Sequence, residues 1–269
     1  MQAVDKLTGE RGRKVELEEI LDRLAEQVEA VDGIMTPIQP YYIPSIGTTG
    51  EPTMVRELVS KWVEKHPNEL PGIVLKKRRK SGEGCFEINY PGNEGGRLDF
   101  GFSSSTAHEG ADNQNNLEWV IEFKRISWCG GTGADHSERA VGKLCSPYPA
   151  TGPILKDALR VSKHGHGSRY AVILLSPDVH PDQLEICRNH PDRKRRWKPE
   201  DENDRYETLS GTFRKNNGYA FTSDPLLPFI EKIFEIMQIK HGNRIIRKVT
   251  GLTSHPVFSR LTLVGWEIK

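Results

Sequence analysis

Apolar and polar positions along this chain repeat with two different periods. Over Lys14–Val31, Leu17, Ile20, Leu21, Leu24, Val28 and Val31 recur at steps of three and four, with acidic residues on the other faces. That spacing predicts an amphipathic helix, a packing or dimer-forming element with Gly33 as its natural stop. A second stripe, Met54, Val55, Leu58, Val59, Trp62 and Val63, predicts a helix over Thr53–His66, capped by Thr53 and closed by Pro67. A third helix is predicted over Gly152–Lys163. It turns Leu155, Ala158, Leu159 and Ser162 inward, and Lys156, Arg160 and Lys163 share much of its outer face. A last one opens at Asp224–Pro225, with Leu226, Ile230, Ile233, Phe234 and Met237 as its apolar face.

Between the helical stretches the period changes to two. Gly96–Phe102 (GRLDFGF) and Glu118–Ile126 (EWVIEFKRI) both read as strands. Arg169–Ser176 (RYAVILLS) is continuously apolar, as a central strand buried on both faces would be. Gly72–Tyr90 reads as a hairpin, and Arg244–Val249 with Leu261–Ile268 as two strands that extend the sheet or build a dimer edge. Thr36–Pro52, which holds Tyr41 and Tyr42, and the polar run Ser103–Asn116 read as loops. The alternation implies an α/β fold, a mixed central β-sheet flanked by helices.

The strand period puts chemistry in one place. Glu122 and Lys124 share a strand face, because side chains two apart point the same way. Asp99 sits among Leu98, Phe100 and Phe102 on the other strand. If the two strands pair, Asp99, Glu122 and Lys124 converge at one edge of the sheet. Two carboxylates beside a lysine suit a hard divalent cation next to a phosphate, because Mg²⁺ takes carboxylate oxygens, keeps several waters and accepts phosphate oxygens. The ammonium can orient a water or help deprotonate it. The plain alternative is a surface aspartate, with Glu122 and Lys124 on the wet face of an antiparallel strand.

At these residues the chain resembles the PD-(D/E)XK nuclease superfamily, which includes many restriction endonucleases. Asp99 stands for the first acid, Glu122-Phe123-Lys124 matches the E-X-K tripeptide, and Leu98 stands where the name has proline. The 22 residues between Asp99 and Glu122 suit a hairpin connection. A helix and then a buried strand after the tripeptide is the order expected of that core. The resemblance covers about the middle third of the chain. It implies a restriction-endonuclease-like core and Mg²⁺-dependent cleavage of DNA phosphodiesters, with Mn²⁺ as a substitute, leaving 5′-phosphate and 3′-hydroxyl ends. The ligands implied are Asp99, Glu122 and the Phe123 carbonyl, with Lys124 positioning the attacking water. In that family a helix ahead of the sheet often lends another acid, and by position the candidate is Glu57. Glu57 lies about 60° beyond the edge of the apolar stripe at 100° per residue, which suits a solvated glutamate better. Glu51, just upstream, is a weaker substitute.

Composition narrows the rest. Lys plus Arg (38) and Asp plus Glu (37) nearly cancel, so any nucleic-acid surface must be a local basic patch. The densest positive run is Lys76, Lys77, Arg78, Arg79 and Lys80, just before the proposed catalytic strands. It reads either as a phosphate-backbone contact or as a solvated, edge-protecting tract. Arg193, Lys194, Arg195, Arg196 and Trp197 centre a charged stretch that reads either as a DNA-contacting lid or as a surface excursion. Cys85, Cys129, Cys145 and Cys187 form no CxxC and no familiar zinc spacing, which fits free thiols in a reducing, cytoplasmic location. There is no run of 18 apolar residues, and MQAVDKLTGERGRK has no apolar h-region, so neither a membrane span nor a signal peptide is expected. The glycine-rich CGGTGADH lacks G-x-x-x-x-G-K-[ST], which argues against ATP binding there.

The expectation is a helix and extended loop over residues 1–52, then a nuclease-like domain over 53–269 with a charged insertion near 188–218. Its expected partner is DNA, with a second copy of the chain as the further candidate, and its size suits a self-contained nuclease. No Q-x-x-x-Y pattern follows the tripeptide, which favours a restriction or defence endonuclease over exonucleases resembling the RecB nuclease. A repair or recombination nuclease is the near alternative. A nucleic-acid-binding protein that keeps the fold without the chemistry is the distant one.

Overall fold

The computed structural model describes residues 15–38, 40, 42–67, 88–89, 97–102, 117–126, 154–162, 168–180, 223–224 and 226–269. The stripe at the N-terminus forms two helices, α1 (Leu17–Ala25) and α2 (Val28–Val31), where one was expected. They turn the same apolar residues inward, and Gly33 follows with φ +70°, a left-handed conformation open to glycine. Helix α3 runs over Glu51–Lys65, two residues earlier than its stripe implied, with Gly50 rather than Thr53 at its N-cap. Proline is tolerated in a first turn, whose N–H groups have no partner in the helix, so Pro52 does not stop it there.

The strands follow. β1 (Ile88–Asn89) pairs antiparallel with β2 (Arg97–Leu98). The expected strand Gly96–Phe102 is interrupted at Asp99, and β3 (Phe100–Phe102) continues after it. β4 (Trp119–Arg125) lies antiparallel to β3 and parallel to β5 (Arg169–Val179). The crossover between β4 and β5 contains helix α4 (Ile154–Ser162). Helix α5 (Leu227–Ile236) precedes the antiparallel pair β6 (Ile245–Thr250) and β7 (Phe258–Ile268). The five-stranded sheet has the order β3-β4-β5-β7-β6, so the apolar strand β5 is central and β7 lies between it and β6.

Alternation on the strands builds two cores. Trp119, Ile121 and Phe123 of β4, with Ala171, Ile173 and Leu175 of β5, pack under α1, α2 and α3. Val120, Val172 and Leu174 face the other way, onto Ile154 and Ala158 of α4 and Leu227, Ile230 and Phe234 of α5. The protein is therefore α/β, a mixed sheet covered by helices on both faces. The N-terminal helices belong to the same core as the sheet. Leu17 and Leu21 come so close to β7 that a Cβ on Gly265 would lie 2.9 Å from Leu21.

One charge is fully buried away from the acid-bearing face of β4. Asp178, in β5, accepts from Ser176 Oγ (2.7 Å), the Ser223 amide (3.1 Å), Thr262 Oγ1 (2.6 Å) and Arg260 Nε (2.7 Å). Every lone-pair direction of its carboxylate is thus engaged, which is what makes a buried charge tolerable. Among the described residues no helix is long and apolar enough to cross a membrane.

Candidate active site

Glu122 and Lys124 owe their position to the pleat of β4. With Trp119, Ile121 and Phe123 committed to one core, Val120, Glu122 and Lys124 fall on the α4 face. Apolar burial ends at Val120, and the next two positions on that face carry charge. Helix α4 answers with charge of its own. Asp157 and Arg160, three residues apart and so on one helical face, both turn toward β4. Lys124 Nζ lies 3.0 Å from Asp157 Oδ2, and Arg160 Nη2 donates to Asp157 Oδ1 at 2.8 Å and to Glu122 Oε1 at 3.1 Å. Glu122 is almost fully buried, at 2% exposure.

Asp99 arrives from the other side. The antiparallel register sets Phe100 opposite Ile121, which brings Asp99 level with the Glu122–Phe123 step. Its Oδ2 accepts from the Phe123 amide at 2.8 Å. The break between β2 and β3 allows this, because a side chain replaces the main chain as partner of that amide. The carbonyl of a strand residue points to the same side as its amide, so the Phe123 carbonyl lies along this edge too.

A third acid comes from α3, and it is Glu51. Its Oε2 accepts from the Arg125 amide at 2.5 Å, and its Oε1 is 3.7 Å from Lys124 Nζ. Arg125 in turn donates to the Gly47 carbonyl at 2.6 Å, tying the loop ahead of α3 to the end of β4. Glu57, the acid chosen by position, is paired instead with its neighbour Arg56 at 2.8 Å. The early start of α3 explains the correction. The N-terminal end of the helix, and not its second turn, meets β4, and six residues at 100° each carry Glu57 about 240° around the axis.

Four carboxylates thus surround two cations. Burial pushes Asp99 up to about 7, with Glu51 adding repulsion, while the Phe123 amide and Lys124 oppose the rise. Burial also raises Glu122 to about 8, reinforced by Asp157 and opposed by Arg160 and Lys124. Glu51 is raised by burial as well, against the pull of Lys124 and of the Arg125 amide. For Lys124 burial works against the charge, but Glu51 and Asp157 outweigh it and hold the ammonium above its usual range. Lys124 therefore stays protonated near neutrality. It can donate and attract, but it does not take up a proton. The acids carry more negative charge than Lys124 and Arg160 neutralise, and the cluster relieves this by keeping protons.

Among the described residues no three His, Cys, Asp or Glu side chains form a ready cage for a metal ion. Mg²⁺ does not need one, since one or two carboxylates with waters and substrate oxygens suffice. Asp99 and Glu122 are hard oxygen donors whose raised pKa values mark a place that favours added positive charge, and so they fit such an ion.

The structure brings together Asp99, Glu122 and Lys124, the trio expected from the sequence, and Glu51, which the sequence ranked behind Glu57. Sequence reasoning missed Asp157 altogether, and it placed Arg160 on the outer face of its helix. The available signal was the pairing of an acid and a base at three-residue spacing beside Ala158, on a helix between β4 and β5. The basic run Lys76, Lys77, Arg78, Arg79 and Lys80 lies outside the described residues, as do Arg195, Arg196 and Trp197. No family model, no curated protein and no solved structure matches this chain.

Proposed function

We propose that this protein is a metal-dependent endonuclease that hydrolyses DNA phosphodiesters, with a restriction-endonuclease-like core and a restriction or defence role. The observation that carries the reading is the meeting of Asp99, Glu51 and Asp157 around the Glu122–Lys124 pair, at one end of a strand inside the sheet. A binding surface has no use for a lysine held between buried acids. A site that must accept a cation and a phosphate does.

In this reading Asp99 and Glu122 would hold Mg²⁺, with the Phe123 carbonyl beside them. A bound Mg²⁺ supplies positive charge at the scissile phosphate. Lys124, locked protonated by Asp157 and Glu51, holds the attacking water by hydrogen bond and draws in the phosphate oxygens. Glu51 and the Arg125 amide fix the end of β4, so that the ammonium keeps its aim. Asp99 and Glu122 would have to give up the protons that burial keeps on them before they could hold Mg²⁺, which favours activity at mildly alkaline pH.

One observation favours the non-catalytic alternative. Lys124 and Arg160 pair with Asp157 and Glu122, as they would in a purely structural ion-pair network. Cleavage of plasmid and linear DNA with Mg²⁺, Mn²⁺ or EDTA separates the two, comparing wild type with Lys124→Ala and Asp99→Ala. Metal-dependent cutting lost in both variants is the expected result. DNA binding with no cutting of any DNA or RNA substrate would leave only the binding protein. Cutting that survives both substitutions would move the active site elsewhere.

A further inference from the structure

Arg160 holds an unusual place in the cluster. Its Nη2 bridges two acids, Glu122 Oε1 at 3.1 Å and Asp157 Oδ1 at 2.8 Å. The Glu122 side chain is 3% exposed and the Asp157 side chain 8%, whereas the arginine side chain retains 29%. The acids are fixed by strand and helix, whereas the arginine side chain keeps part of its surface in water, with its Nε buried. Its bond to Glu122 uses the carboxylate that a divalent cation would need. Its bond to Asp157 uses the oxygen that Lys124 leaves free, because Lys124 takes Oδ2.

We infer that Arg160 is the resident counter-cation of this site: it occupies Glu122 until a divalent cation takes its place, then stays tethered by Asp157 and turns its freed N–H groups to a substrate phosphate. The inference rests on the nuclease reading and adds a role for α4. Charge balance motivates it. A guanidinium and a divalent ion cannot both sit against one buried carboxylate oxygen without strong repulsion, and the single positive charge is the one that yields. Once displaced, a planar guanidinium anchored on one side presents the fork that matches phosphate oxygens. No covalent step is involved, only exchange of the partner of Glu122.

The test has two readouts, neither of them cleavage. Mn²⁺ binding is measured by titration calorimetry in mildly alkaline buffer for wild type, Arg160→Met and Arg160→Gln. The glutamine variant keeps a hydrogen-bond donor for both acids, in case the methionine variant does not fold. Binding of a short labelled duplex is then measured in Ca²⁺. Removing the competing cation should tighten Mn²⁺ binding about tenfold and weaken duplex binding by a similar factor, while Arg160→Lys restores part of both. A merely structural arginine would weaken both together. Unchanged or weaker Mn²⁺ binding in the variants, or unchanged duplex binding, overturns the inference. If wild type neither binds Mn²⁺ nor cuts DNA, the nuclease reading itself falls. If wild type does both and the variants show no tightening, only the arginine exchange falls.

Discussion

Replacing Asp99 with asparagine should make the metal-free protein more stable while it abolishes cleavage. Asp99 ionises near 3.8 in an open chain and at about 7 in its place beside Glu51. Between these values the folded protein holds a proton that the unfolded chain has released. Stability therefore falls as pH rises from about 4 to about 7 and gains nothing back above that. At 1.36 kcal/mol per pH unit the ceiling on this penalty is about 4 kcal/mol. Asp99 keeps some contact with solvent, and screening reduces the figure, so a gain of about 1–2 kcal/mol above pH 7 is the working value for Asp99→Asn. The carboxamide oxygen can still accept from the Phe123 amide, so the change removes charge and little else. Urea unfolding in EDTA at about pH 5 and about pH 8 measures the effect. The variant should gain on wild type mainly at the higher pH, and adding Mg²⁺ should stabilise wild type more than the variant. A variant equal to or weaker than wild type at the higher pH would refute the picture of a carboxyl kept protonated by burial and by the repulsion of Glu51.

Other predictions concern the neighbours of that site and the core behind it. Glu51→Gln should lower metal-dependent cleavage by about 10- to 100-fold, the usual scale for groups that orient a metal site, and Glu57→Gln should leave it unchanged. Equal losses in the two would mean that α3 is misplaced. Asp178→Ala leaves the buried hydroxyls of Ser176 and Thr262 without their acceptor and takes from Arg260 its nearer acid, and should cost about 3–5 kcal/mol in denaturant unfolding. A cost below about 1 kcal/mol would show that the network is dispensable. Gly47→Ala sets a Cβ 1.9 Å from the Phe258 ring. The resulting overpacking should cost about 1–3 kcal/mol, visible as a lower Tm, and should loosen the Arg125 anchor on the Gly47 carbonyl.

Sequence by itself determined what depends on periodicity. The alternation in EWVIEFKRI put Glu122 and Lys124 on one face, and the apolar run in RYAVILLS marked β5 as a strand buried on both faces; both readings hold in the fold. The stripes of α1 and α3 likewise named their own buried faces. Tertiary structure alone decided which elements meet. The insertion of β7 between β5 and β6 depends on which strand edges find each other, and no local pattern encodes that choice. The selection of Glu51 over Glu57 depended on where α3 starts and which of its ends abuts β4. The turn of Arg160 toward Glu122 ran against its place among outward cations, because two buried carboxylates attract a guanidinium more strongly than its helix neighbours direct it outward. Periodicity is a property of a segment, whereas charge pairing and edge pairing belong to residues far apart in sequence, and only the assembled fold brings those together.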